Sequence, residues 1–301
     1  MRSRTAVYLV LGELAPALAN PLLALLEERG KEALYIPNFT SDVWLNWVFG
    51  TGYSSSELRL ADGRALRGEK ISAAIIQKFS DPPGDAIGYA PGYDVRAEQQ
   101  ASWFGWFWSL KCPVVNRYPP IFWFSKSVPV SLWRVWLKQS GLCATDAFLS
   151  NNSERLKAYA SGSGQEVTYT PFSSNKVYRL TTEEDWSGLG RLAALLPVHV
   201  TCYKSPLYFA SVVGSNVFWN RTVPRLLTSV HPGLIRLATA AGLSFIEVGL
   251  LIIDGQPRVY SVDPFPKLTE FKFGKCQEIV DALVDEMEGQ LARPAKTRNR
   301  L

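Results

Sequence analysis

Residues 242–266, GLSFIEVGLLIIDGQPRVYSVDPFP, decide how this chain folds. Residues 245–253 form an almost unbroken apolar run of strand length. Asp254-Gly255 is a turn dipeptide, and residues 257–262 form a second run rich in β-branched and aromatic side chains. Two such runs around Asp-Gly read as a β-hairpin. A helical pattern over 233–241 closes on Gly242 just before it, and a last helix over 276–291 follows it.

Further back the same alternation of strands and helices continues. Strands are expected at 147–149, 166–172, 176–180, 198–203, 207–213 and 216–219, with helices at 153–160 and 183–195. The helix at 183–195 starts beside Thr181-Thr182, which suit capping, and carries acids in its first turn. Gly141 marks a boundary. Before it, residues 5–11 (TAVYLVL) read as a buried strand, 16–29 as a helix closed by Gly30, and 33–36 as a second strand. The turn Gly12-Glu13-Leu14-Ala15 lacks the glycine pattern of dinucleotide binding, which disfavours a Rossmann cofactor site. Residues 53–68 read as a polar loop or hairpin around Asp62-Gly63. A strand at 73–79, a helix at 97–110, a short strand at 113–116 and a helix over 129–140 complete the half. The fold class is α/β, becoming α+β with antiparallel strands in the C-terminal half, with a cleft between subdomains.

Composition narrows the function. The 301 residues are 47% hydrophobic and 20% charged, an ordinary globular balance. The ten Trp fall mostly in 103–108 and 123–136, which places them in one packed region. The net charge of +5 owes most to a basic tail at 293–301, with Arg293, Lys296, Arg298 and Arg300, so the body is near neutral. Neither nucleic acid nor membrane is an expected partner. Four scattered cysteines without a CxxC pair, and only His199 and His231, argue against zinc and for reduced thiols in a cytoplasmic protein. The opening Met1-Arg-Ser-Arg superficially resembles a secretory signal. Glu13 and Pro16 interrupt its apolar stretch, and a strand followed by a helix is the preferred reading.

Four collinear stretches resemble the ATP-grasp family, in particular the branch related to ribosomal-S6 modification that includes ligases crosslinking graspetide peptides. Residues 98–116, a helix and then SLKCPVVN, resemble the segment preceding the grasp. SKSVPVSLWRVWLKQSGL (125–142) is similar to a lysine-plus-helix segment with Lys126 at the lysine. GLSFIEVGLLI and VYSVDPFP resemble the two strands that carry magnesium ligands. The resemblance implies an N-terminal β-α-β pre-grasp domain over 1–124 and a grasp-like domain of two antiparallel-sheet subdomains over 125–292. It also implies ATP and Mg²⁺ as cofactors and phosphorylation of a carboxylate before attack by an amine or hydroxyl. That chemistry needs cations against phosphate and oxygen ligands for magnesium.

Several positions depart from the family's pattern. Thr170-Pro171 stands where a Lys-Pro step belongs, and the following Ser173-Ser174-Asn175 has no glycine. The first magnesium aspartate falls on Gly249 and the glutamate on Ser261; Asp263 alone keeps an oxygen donor. A register slip of two would bring Glu247 toward the first ligand site. An acidic-basic pair is absent near Pro206-Leu207-Tyr208. The candidate nucleotide-binding set is therefore Lys126, Thr170 and Tyr203, the candidate metal ligand is Asp263, and the candidate catalytic residues are Arg221 and Lys176. Each has a bland counterpart. Lys126 is also a solvated lysine at a helix start, Lys176 an exposed strand lysine and Asp263 a turn former before Pro264. Glu98 reads as helix surface, His199 as structural and His231 as loop. Two functions follow from the resemblance. One is a degenerate, non-catalytic partner of an active ligase or of a precursor peptide; the other is an active carboxylate–amine or carboxylate–hydroxyl ligase with a rearranged site. A homodimer is an expected assembly.

Overall fold

A computed structural model describes residues 6–38, 43–50, 53–77, 95–124, 130–162, 166–171, 178–203 and 207–292. The opening is a parallel sheet. β1 (Val7–Leu11) is buried at every position and pairs with β2 (Glu32–Ile36) on one side and β6 (Ile71–Ile76) on the other. β7 (Val114–Val115) extends it beyond β6, giving the order β2-β1-β6-β7. Between β1 and β2 runs α1 (Pro16–Glu28), started by a proline whose missing N–H costs nothing at that position.

Between β2 and β6 the chain makes an antiparallel three-stranded sheet of β3 (Val43–Gly50), β4 (Tyr53–Leu60) and β5 (Ala65–Arg67). The hairpin around Asp62-Gly63 is present, with Gly63 at φ +84°; β3 is an addition to the elements expected from the sequence. The ring of Trp47 on β3 lies against α2 (Val95–Ser109), where a Cβ at Gly105 would sit 3.0 Å from it.

After α2 come the short α3 (Pro120–Phe124) and α4 (Val130–Gln139). A small sheet in the order β10-β9-β11-β8 follows, built from β8 (Phe148–Ser150), β9 (Glu166–Tyr169), β10 (Tyr178–Arg179) and β11 (Val198–Tyr203). It packs on α5 (Ser153–Ser161) and α6 (Glu183–Ala193) around Leu156, Leu189, Ala193, Val198 and Val200. Thr182 and Asp185 close the capping box that the sequence signals at the start of α6.

The last sheet is β13-β12-β14-β15, with β12 (Tyr208–Val213), β13 (Asn216–Trp219), β14 (Phe245–Ile253) and β15 (Gln256–Asp263) all antiparallel. α7 (Arg225–Thr228) and α8 (His231–Ala240) precede β14, and α9 (Phe273–Ala292) ends the chain's described part.

Two large cores hold the sheets together. On one side Leu9, Leu11, Trp103, Trp106 and Phe107 join Leu234, Leu237, Val248 and Leu250. On the other, α9 wedges Ile279, Val280, Leu283 and Val284 between the first sheet and the last, against Val10, Ile75, Val213 and Phe245. Each such side chain stabilises the fold by roughly 1.5–3 kcal/mol. The tryptophan runs do pack together: Phe122 lies between 6.1 and 6.2 Å from the rings of Trp133 and Trp136, and both rings join the Trp103 and Trp106 cluster. No described helix is long and apolar enough to cross a membrane.

Candidate functional site

The hairpin of β14 and β15 sets the register of the site. Glu247 stands opposite Asp263, Val248 opposite Val262, and Gly249 opposite Ser261. Side chains two apart on a strand share a face, so Glu247, Gly249, Ser261 and Asp263 line one face. Val248 and Val262 point the other way, into the large core.

The Gly249–Ser261 pair is tight. A Cβ on Gly249 would lie 2.5 Å from Ser261 Oγ and 3.5 Å from Phe209 Cε1. An aspartate at 249 therefore needs the serine hydroxyl to turn away. Two pairs along the hairpin, on the same face, Glu247 is buried and its Oε2 accepts a hydrogen bond from the backbone N–H of Leu268 at 3.1 Å. Burial, reinforced by the neighbouring Asp263, pushes the Glu247 carboxyl up to about 7. Asp263 Oδ1 accepts from the N–H of Phe265 at 2.9 Å, the contact of an Asx turn. Ser211, opposite Glu247 on β12, is fully buried and its hydroxyl has no hydrogen-bond partner.

The facing sheet supplies Thr168 and Thr170. Thr168 pairs with Thr201 on β11, and its hydroxyl donates to the Thr201 carbonyl at 3.3 Å. The Thr170 carbonyl lies 3.0 Å from His199 Nδ1. A carbonyl only accepts, so that nitrogen carries a proton. Burial also pulls the His199 pKa down, leaving the ring neutral at ordinary pH. Across the cleft, Tyr260 of β15 donates to Thr168 Oγ1 at 3.0 Å.

Arg221 follows β13. Its guanidinium donates to the Leu207 carbonyl at 2.7 Å and lies over the Tyr208 ring at 5.3 Å. The Leu207 side chain would lie 3.8 Å from a Cβ on Gly249, so Arg221 and Gly249 belong to the same end of the sheet. Tyr203 is the last residue of β11, opposite Glu166. Lys126 and Lys176 lie outside the described residues. His231, read from the sequence as loop, opens α8 and accepts from Trp219 Nε1 at 2.6 Å.

Behind the site, Asn116 knots the first sheet to the last. Its Oδ1 accepts from the N–H groups of Ser244 (2.8 Å) and Phe245 (2.7 Å), and its Nδ2 donates to the Phe245 carbonyl at 2.6 Å. Tyr118 Oη donates to the Pro264 carbonyl at 3.0 Å, one residue past Asp263. The sequence marked Asn116 only as the end of a short strand. Its role became visible once Ser244 and Phe245 were brought to it.

The described residues do not by themselves assemble a magnesium site. Among the described residues no three His, Cys, Asp or Glu side chains are grouped to hold a metal. Glu247 and Asp263, the two acids of this face, each already accept a backbone N–H group.

The parallel opening sheet and the two antiparallel sheets that meet at Thr168 and Tyr260 define the ATP-grasp fold. Comparison with solved structures agrees. The macrocyclase MdnC of Microcystis aeruginosa, bound with precursor peptide MdnA, superimposes with a TM-score of 0.67 at 16% identity, over 93% of this chain and 99% of that one. A Chryseobacterium gregarium RiPP-associated ATP-grasp ligase, in complex with ADP and a leader and core peptide, gives 0.67 at 11% identity, over 98% and 100%. A RimK domain ATP-grasp protein of Sphaerobacter thermophilus gives 0.57 at 14%, over 94% and 100%. No family model matches the chain, and no curated protein matches it.

Proposed function

We propose that this chain works in a peptide-modification pathway as an ATP-grasp protein that binds a peptide or a partner ligase without magnesium-dependent phosphoryl transfer. The observation that carries this reading is the facing pair Gly249–Ser261. Two ligand positions implied by the resemblance meet across one register pair, and neither has a carboxylate. The acid that is near, Glu247, is displaced two pairs along the hairpin and tied to Leu268. Support for a peptide partner comes from the neighbours, several of which are complexes with precursor peptides. ADP release by the purified protein is the test. Turnover that requires magnesium would sink the reading, and none above a no-enzyme control supports it.

A second reading is favoured by one feature, the Glu247–Asp263 pair with Arg221 at the near end of the sheet. It makes the chain an active ligase with a rearranged site that also uses Lys126 and Lys176. Full activity in both Lys126→Ala and Asp263→Ala would remove it.

A further inference from the structure

Val259 and Val262 are buried in the same apolar cluster, although strict alternation would send residues three apart to opposite faces. The register explains this. Gly249 faces Ser261, but Leu250 faces Val259, so Tyr260 is an extra residue in β15. Such a β-bulge sets two residues against one on the partner strand and re-aims a side chain. Tyr260 and Ser261 therefore both leave the sheet on the side away from that cluster.

The Tyr260 phenol then crosses to the small sheet. Its O–H donates to Thr168 Oγ1 at 3.0 Å, and the Thr168 hydroxyl donates onward to the Thr201 carbonyl at 3.3 Å. Every proton in this relay has a place. Thr168 is only 1% exposed and sits on β9 between β10 and β11, so the bond ends on the interior of the small sheet and not on a loop. Beside the bulge, Val259 is also pinned to the connecting segment. Its N–H donates to the Cys143 carbonyl at 2.7 Å, and its carbonyl accepts from the Thr145 N–H at 2.8 Å. β15 is thus tied by backbone at Val259 to the segment leading into the small sheet, and by side chain at the very next residue to the small sheet itself.

We propose that Tyr260 and Thr168 form a latch that holds the two sheets of the grasp closed on each other without a nucleotide. The resemblance places a phosphate lysine at Thr170, the residue after β9, and magnesium ligands at Ser261 and Asp263 on β15. A ligand entering between those strands must break the Tyr260–Thr168 bond first. The latch stands independently of whether ATP is turned over.

Hydrogen exchange on the full chain tests this. Tyr260→Phe keeps the ring and removes only the hydroxyl, and Thr168→Val keeps the shape of the threonine. Each variant should speed exchange of the amides in 166–169 and 198–203 by at least about fivefold, the factor that one net hydrogen bond is worth, while those of α9 stay unchanged. The double variant should exchange no faster than Thr168→Val, which by itself removes both the Tyr260–Thr168 bond and the onward bond to the Thr201 carbonyl. Unchanged exchange in the single variants, or single effects that multiply in the double, overturns the latch. Fluorescent ADP should bind Tyr260→Phe at least as tightly as the parent. Weaker binding would make the hydroxyl a ligand contact and overturn the proposal. Magnesium-dependent ATP turnover by the parent would remove the proposed function and leave the exchange result as it is.

Discussion

Burial takes water from the Glu247 carboxylate, and Asp263 across the strand pair adds a like charge, so the proton is held to about 7 against an ordinary 4.5. Between those values the folded chain binds more protons at this residue than the unfolded one. Its contribution to stability is complete below the lower value and is lost as pH rises through the upper one, by an amount on the order of 3 kcal/mol. Glu247→Gln keeps an oxygen for Leu268 and removes the titration. We expect the variant to be the more stable protein at about pH 8 and the two to converge at about pH 4, read from urea midpoints across that range. A parent whose stability from this residue rises toward alkaline pH contradicts the assignment. Asp263, on the same face, is engaged by Phe265 in a turn, so its chemistry follows from local sequence. That of Glu247 does not, because nothing within a few residues of it reveals the opposing acid.

At the scale of elements, the joint at Asn116 and Arg117 decides how the first sheet meets the grasp. Asn116 is buried and serves three backbone groups of Ser244 and Phe245 at the start of β14. Asn116→Ala leaves those groups unpaired and should cost about 3 kcal/mol or more in denaturant melts. Arg117 donates to the carbonyls of Phe107, Leu110 and Cys112, which closes the C-terminal end of α2. Arg117→Met, which keeps the apolar stem, should cost about 1–2 kcal/mol by the same measurement. The elements themselves were largely legible in the sequence, since β1, α1, β14 and β15 each declare a local period. β3 was not. Its exposed face carries Trp44 and Val48 while Trp47 packs on Gly105, so apolar residues occupy both faces and the period of two is blurred.

For the whole molecule, the arrangement of Gly249, Ser261, Glu247 and Asp263 predicts how the protein responds to metal. A ligand that binds only the folded state raises the melting temperature by mass action. Millimolar magnesium should add no shift to that produced by ADP alone, measured by calorimetric scanning. A magnesium-dependent rise would show that oxygen ligands assemble here on binding. Several solved ATP-grasp ligases of the same fold carry precursor peptides or ADP with magnesium, so this one measurement separates a shared architecture from a shared site.

The sequence alone determined the order of helices and strands, the hairpin at Asp254-Gly255, and the absence of carboxylates at 249 and 261. These are local properties, written in periodicity, turn chemistry and residue type. Only the tertiary structure decided that Glu247 stands against Asp263, that a bulge turns Tyr260 across to Thr168, and that Asn116 holds Phe245 from 129 residues away. Strand register, burial and cross-sheet hydrogen bonds depend on groups distant in the chain, and no local pattern of side chains carries them.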